Sequence, residues 1–155
     1  MENIREINKG TYVCAKFSDE TLEALESFQE LHEIPNRVPK VDMHCTIAFS
    51  RKFINYKPEY DIGYVATHAE TKIFTTQKGK RALVLALENA DKLKFRHDYA
   101  NAIGATYDFP DYIPHVTVSY DIGVLDFPEG MKICIPFYVT KEVVEDLDLD
   151  WKPST

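Results

Sequence analysis

One tetrapeptide pattern, histidine–apolar–threonine–apolar, is written twice in this chain, as His44-Cys45-Thr46-Ile47 and as His115-Val116-Thr117-Val118. Each run has the composition of a β-strand. Side chains alternate faces along a strand, so each histidine shares a face with the threonine two residues on. Cys45, Ile47, Val116 and Val118 then turn the other way, into a core. The fold must therefore present two imidazole–hydroxyl pairs from two separate strands.

The two histidines are 71 residues apart, 115 less 44. The same shift carries strand-like Tyr12-Val13-Cys14-Ala15-Lys16-Phe17 onto Leu83-Val84-Leu85-Ala86-Leu87-Glu88. It carries Ser18 onto Asn89, both favoured helix N-caps, Leu22 onto Leu93, and Phe28 onto Tyr99. Each half, about 11–50 and 82–121, reads strand, capped helix, loop, His-strand.

The first helix is expected from about Asp19 to His32, with Leu22, Leu25, Phe28 and Leu31 inward and Pro35 beyond its end. The second is expected over Asp91 to Ile103, with Leu93, Ala100 and Ile103 inward and Gly104 as its stop. Lys72–Thr76 and Arg81–Leu87 read as strands around a Gln77-Lys78-Gly79-Lys80 turn. Lys132–Thr140 and roughly Glu142–Leu149 are strand-like again. The expected architecture is a single α+β domain over residues 1–155: two pseudo-symmetric lobes of antiparallel sheet, helices outside, the active-site groove between the sheets. That groove would bring the two His-strands face to face.

With 155 residues, the chain has the length of one domain with one core. No apolar run is long enough to cross a membrane. The N-terminus, polar and mixed in charge, does not read as a signal peptide. Three widely spaced cysteines, Cys14, Cys45 and Cys134, form neither a disulfide framework nor a zinc site, which points to the cytosol. A net charge of −7 with no basic stripe argues against a long nucleic acid and leaves room for a small nucleotide held by local positive groups.

Two imidazoles and two hydroxyls offered to one side supply a paired acid and base with two phosphate-binding groups, enough to break a phosphodiester with neither metal nor cofactor. The rival chemistries fail on detail. No H-E-x-x-H or C-x-x-C offers a metal cage. Gly79-Lys80 lacks the upstream glycine and following hydroxyl of a P-loop. Alternation sends Cys45 away from His44, so it reads as core filler rather than a thiol nucleophile. The acids Glu142, Glu145, Asp146, Asp148 and Asp150 do not have EF-hand spacing and read mostly as a solvated strand face. His32, His68 and His97 lack the motif and read as surface or helix-face residues.

Paired His-x-Thr strands in a symmetric chain of this size resemble the two-histidine phosphoesterase superfamily, which includes RNA 2′,3′-cyclic phosphodiesterases. More narrowly, the text from the Tyr12-Val13 strand to Trp151-Lys152-Pro153 is similar to the phage anti-CBASS phosphodiesterases, which degrade the cyclic nucleotide messengers of bacterial antiphage defence. The resemblance implies that His44 and His115 form the acid/base pair, with no order between them, and that Thr46 and Thr117 hold the phosphate. It implies a small cyclic nucleotide as substrate, met in the bacterial host cytoplasm, and no metal. It further implies that Tyr12 stacks on a nucleobase and that a glutamate and a tryptophan near the C-terminus close on the ligand. Glu145 and Trp151 fit these places, with Glu142 as a competing match. Rim packing remains the alternative for Tyr12, and docking onto the body as a C-terminal anchor the alternative for Trp151. Two other functions stay open: a 2′,3′-cyclic phosphodiesterase acting on RNA ends, and a nucleotide-sequestering protein without catalysis.

Overall fold

A computed structural model describes residues 9–109 and 111–148. Trp151 and Asp150 lie outside the described residues. The elements run β1 (Lys9–Phe17), α1 (Asp19–Leu31), β2 (His44–Ser50), β3 (Tyr60–Thr75), β4 (Arg81–Leu87), α2 (Asp91–Ala102), β5 (His115–Ser119) and β6 (Lys132–Asp148). A shift of 71 residues carries β1 onto β4, α1 onto α2, β2 onto β5 and β3 onto β6.

The six strands close into a ring in the order β1-β2-β5-β4-β3-β6. All neighbours are antiparallel. β2 and β1 are flanked by β6, and β5 and β4 by β3. Each half therefore contributes its long third strand to the other half's sheet. β3 and β6 pair with each other from Tyr60↔Lys141 to Glu70↔Lys132. The expected Lys72–Thr76 strand is the end of β3, and the two expected C-terminal strands merge into β6. β2 and β5 meet only at Cys45↔Val116, so the two His-strands lie side by side along a seam rather than face to face.

Ser18 caps α1 as expected, its Oγ accepting from the Thr21 N–H at 3.3 Å, with Asp19 and Glu20 in the first turn. Asn89 does not cap α2. Ala90 holds that position without a side-chain bond, and Asn89 takes a left-handed turn at φ 53°. Leu25 and Phe28 of α1 are buried, but Leu31 is 78% exposed and Leu22 only half-buried. Thr21 and Gln29 complete the inner stripe. Each has a backbone partner there: Thr21 Oγ1 donates to the Pro136 carbonyl at 2.7 Å, and Gln29 Nε2 donates to those of Val38 (3.0 Å) and Val118 (2.9 Å). Such bonds are what makes polar burial tolerable.

In α2, Leu93 and Ala100 are buried as expected, whereas Ile103 lies past the last turn and is 38% exposed. Arg96 and His97 face inward instead. Gly104 (φ 109°) ends the segment in a conformation that favours glycine. α1 packs on β6 and α2 on β2. Leu25, Phe28, Leu93 and Ala100 join Val13, Ala15, Cys45, Ile47, Val116 and Val118 in one core. The opposite face of β1, β2 and β5 lines a cleft.

Candidate active site

The Cys45↔Val116 pair fixes the geometry of the seam. In that antiparallel register His44 lies opposite Thr117, and Thr46 opposite His115. All four belong to the face turned away from the core, and together they line one hollow of about 270 Å³. The sequence pattern thus becomes a compact square of two imidazoles and two hydroxyls.

Both rings are oriented by the same device. His44 Nδ1 lies 2.7 Å from the Asp42 carbonyl, and His115 Nδ1 lies 2.7 Å from the Ile113 carbonyl. A carbonyl only accepts, so each Nδ1 carries a proton and each Nε2 is turned toward the cleft, where that of His44 meets a tyrosine hydroxyl. Burial, reinforced by the nearby His44, pulls the His115 pKa below its ordinary value of 6.5, while the Ile113 carbonyl works in the other direction. These two carbonyls were absent from the sequence reading. The repeat itself held the clue, since Asp42 and Ile113 are also 71 residues apart.

Tyr12 enters the square through its hydroxyl, which lies 2.7 Å from His44 Nε2 and 2.8 Å from Thr46 Oγ1. With the His44 ring neutral, Thr46 donates to Tyr12 and Tyr12 donates to the imidazole. Burial raises the Tyr12 phenol well above its ordinary value, so it remains a donor. A second hollow of about 400 Å³ adjoins on the His44 side, lined by Tyr12, Lys16, Arg37, Asp42, Tyr120 and Glu145 among others. Its Lys16 and Arg37 place positive groups beside the cleft of an acidic protein.

The choice between the two glutamates falls to strand parity. Tyr12 pairs with Glu145 across β1 and β6, so both project into the cleft. Glu142 has the opposite parity and is fully buried, held by Arg96 (Nη2 to Oε1, 2.8 Å) and by the Tyr56 hydroxyl (2.6 Å). Glu142 is thus a packing residue, not part of a solvated strand face. Cys45 is fully buried, and burial pushes its thiol up to about 12, consistent with core filler. His97, on the inner face of α2, stacks on Tyr112 with ring centroids 4.1 Å apart and bonds the Ile47 carbonyl at 2.7 Å, so it supports β2 from beneath. Among the described residues no three His, Cys, Asp or Glu side chains cluster as metal ligands would.

The sequence profile of the family described as anti-CBASS protein Acb1 matches residues 9–154. The chain belongs to this family. It is 43% identical over 150 residues to the anti-CBASS protein Acb1 of Acinetobacter phage Ac42, covering 97% of this chain and 99% of that one. It is 42% identical over 151 residues to that of Enterobacteria phage T4, covering 97% of each. Among solved structures, it resembles one described as a phosphoesterase (TM-score 0.54, 13% identity, 88% and 86% covered). It also resembles E. coli LigT complexed with 3′-AMP (TM-score 0.53, 13% identity, 89% and 87% covered). At such identity these two likenesses establish the shared fold. Family membership over nearly the full length rests on the phage relatives.

Proposed function

We propose that the protein is a phosphodiesterase that cleaves the 3′–5′ linkages of cyclic di- or oligonucleotide messengers and so counters CBASS signalling. One observation carries the reading: two imidazoles, each held by a backbone carbonyl at Nδ1, share a single cleft with two hydroxyls. One neutral ring takes the proton of a ribose 2′-OH, which attacks the adjacent phosphorus. The other, protonated, delivers a proton to the departing 5′-oxygen. His115 is the base, because burial and its neighbour favour its neutral form. His44 is the acid. The Thr46 and Thr117 hydroxyls bind the non-bridging oxygens and strengthen as charge builds there. The first product is a linear nucleotide ending in a 2′,3′-cyclic phosphate, which the same groups can open with water.

Both proton transfers are assigned to side chains, so the scheme calls for no metal. Glu145 accepts from the donor edge of a base, and Trp151 closes on the ligand. The site of action is the bacterial host cytoplasm; among the described residues no helix is long and apolar enough to cross a membrane. Incubation with a panel of cyclic di- and trinucleotides, followed by product separation, tests the reading. Cleavage unaffected by EDTA, and resistance of a linkage with 2′-deoxyribose at the attacking position, are expected. Chelator inhibition reversed by metal, or efficient cleavage of the deoxy linkage, contradicts it.

A further inference from the structure

Phe49 and Tyr120 stand in the cleft without a role in the chemistry above. Each follows a motif histidine by five residues, and the same shift of 71 relates them. Strict alternation from His44 sends residue 49 to the core face with Cys45 and Ile47. The structure places it on the other side, for a reason visible in the strand pairing. Val13 pairs with Ala48 and Cys14 with Thr46, so Ile47 is left unopposed in β2. Leu83 pairs with Ser119 and Val84 with Thr117, so Val118 is left unopposed beside β4. These are β-bulges at equivalent places, and an extra residue reverses the alternation beyond it. Ile47 and Ala48 are accordingly both buried, as are Val118 and Ser119, while Phe49 and Tyr120 emerge 41% and 59% exposed.

Both rings line the hollow that holds His44, Thr46, His115 and Thr117. Exposing a large aromatic forfeits the gain from burying it, and a bulge interrupts the hydrogen-bond ladder. The fold accepts both costs twice, at symmetry-related positions, on either side of the same chemistry. Phe49 and Tyr12 meet nearly at right angles (80°), so they do not stack on each other.

We propose that Phe49 and Tyr120 are the nucleobase platforms of the site, one for each nucleoside that flanks the bound phosphate. The assignment rests on the phosphodiesterase reading given above. A 3′–5′ linkage joins two nucleosides, and a cleft that grips its phosphorus between two related half-sites has one base to place in each. Every base has a π face, so stacking supplies affinity with little regard to base identity. Selection among bases falls instead to polar neighbours such as Glu145.

The test compares Phe49→Leu and Tyr120→Leu, which keep bulk but lose the ring face, with Phe49→Tyr and Tyr120→Phe, which keep it. Steady-state cleavage of a cyclic dinucleotide should show KM raised about 5- to 150-fold by each leucine, the effect of one lost base–aromatic stack. The ring-preserving variants should stay within about threefold of the parent, with kcat little changed throughout. Thermal melting checks that each variant is folded, as expected at exposed positions. Unchanged KM in both leucine variants, or an equal loss in the ring-preserving ones, overturns the assignment. A 2-aminopurine cyclic dinucleotide bound to the His115→Ala protein gives a second readout: stacking quenches its fluorescence, and bright bound ligand overturns the platforms. Parent protein that leaves cyclic dinucleotides intact removes the phosphodiesterase reading and this inference together. Parent that cleaves them beside equally active leucine variants removes only this inference.

Discussion

The His44 half and the His115 half share a backbone plan and differ in what they hang on it. Strands, bulges and the carbonyl behind each imidazole recur at a spacing of 71. The side chains diverge. Tyr12, bonded to His44, has Leu83 as its counterpart, and Glu145 in the cleft has Phe74, edge-on to His115 at 5.3 Å. In the packing, the uncharged Leu25 and Thr71 occupy the places where the other half has the buried Arg96–Glu142 pair. The repeated backbone delivers two similarly held imidazoles to one cleft. The unlike surroundings set His115, lowered by burial, apart from His44, bonded to Tyr12, and the proposed acid–base cleavage needs two imidazoles in unlike roles.

The strongest way to break this comparison is to remove each imidazole in turn. His115→Ala and His44→Ala should each lower turnover of a cyclic dinucleotide by about 10²–10⁴-fold. On 2-hydroxypropyl 4-nitrophenyl phosphate, whose nitrophenolate leaves without a proton, only His115→Ala should remain impaired. Equal losses on that substrate would erase the distinction between acid and base. Thr46→Val and Thr117→Val should follow, each reducing kcat by about 10²–10³-fold if both hydroxyls act on the developing charge. A large loss in one and none in the other would show that a single half holds the phosphate.

The two glutamates sharpen the contrast between cleft and packing. Glu142→Ala should destabilise the protein by about 3–5 kcal/mol in denaturant melts, since it strands the Arg96 guanidinium without its buried partner. Glu145→Ala should leave the melt nearly unchanged and alter base preference. Tyr12→Phe removes one hydroxyl from the His44 side and should lower kcat about 2- to 12-fold, the worth of a hydrogen bond at about 0.5–1.5 kcal/mol.

The pH dependence yields the smallest effect. His115 has a lowered pKa in the fold, so the unfolded chain takes up its proton first as pH falls. The associated stability is complete above the ordinary value of 6.5 and is lost as pH drops through it toward the folded value. Stability measured from pH 7.5 to 5 should decline less in His115→Gln than in the parent. The acid limb of the kcat/KM profile should likewise lie below 6.5.

The square of His44, Thr46, His115 and Thr117 was legible because it needs only alternation over three residues and a repeat. Phe49 and Tyr120 were not, because alternation does not survive a bulge, and nothing in Ile47-Ala48 or Val118-Ser119 announces one. The long strands were partly hidden for a related reason. β3 opens through Asp61 (φ 51°) and Gly63 (φ 93°), with pairing shifts that blur its period. Leu31 and Ile103 were expected inside from apolar residues placed along each helix. Thr21, Gln29 and Arg96 displaced them because each finds a partner supplied by distant chain, as Gln29 does in the Val118 carbonyl and Arg96 in Glu142, 46 residues away.

The exchange of β3 and β6 has a mechanical consequence. Neither half owns a finished sheet, so the halves are interlocked like clasped hands. β2 and β5 share a single pairing, so the spacing between the histidines is held mainly the other way round the ring, through β1, β6, β3 and β4, and a jaw-like swing of one lobe against the other would tear strands out of both. On the proposed chemistry, enclosure of a ligand falls to the rim, and His44 and His115 work at a fixed gauge.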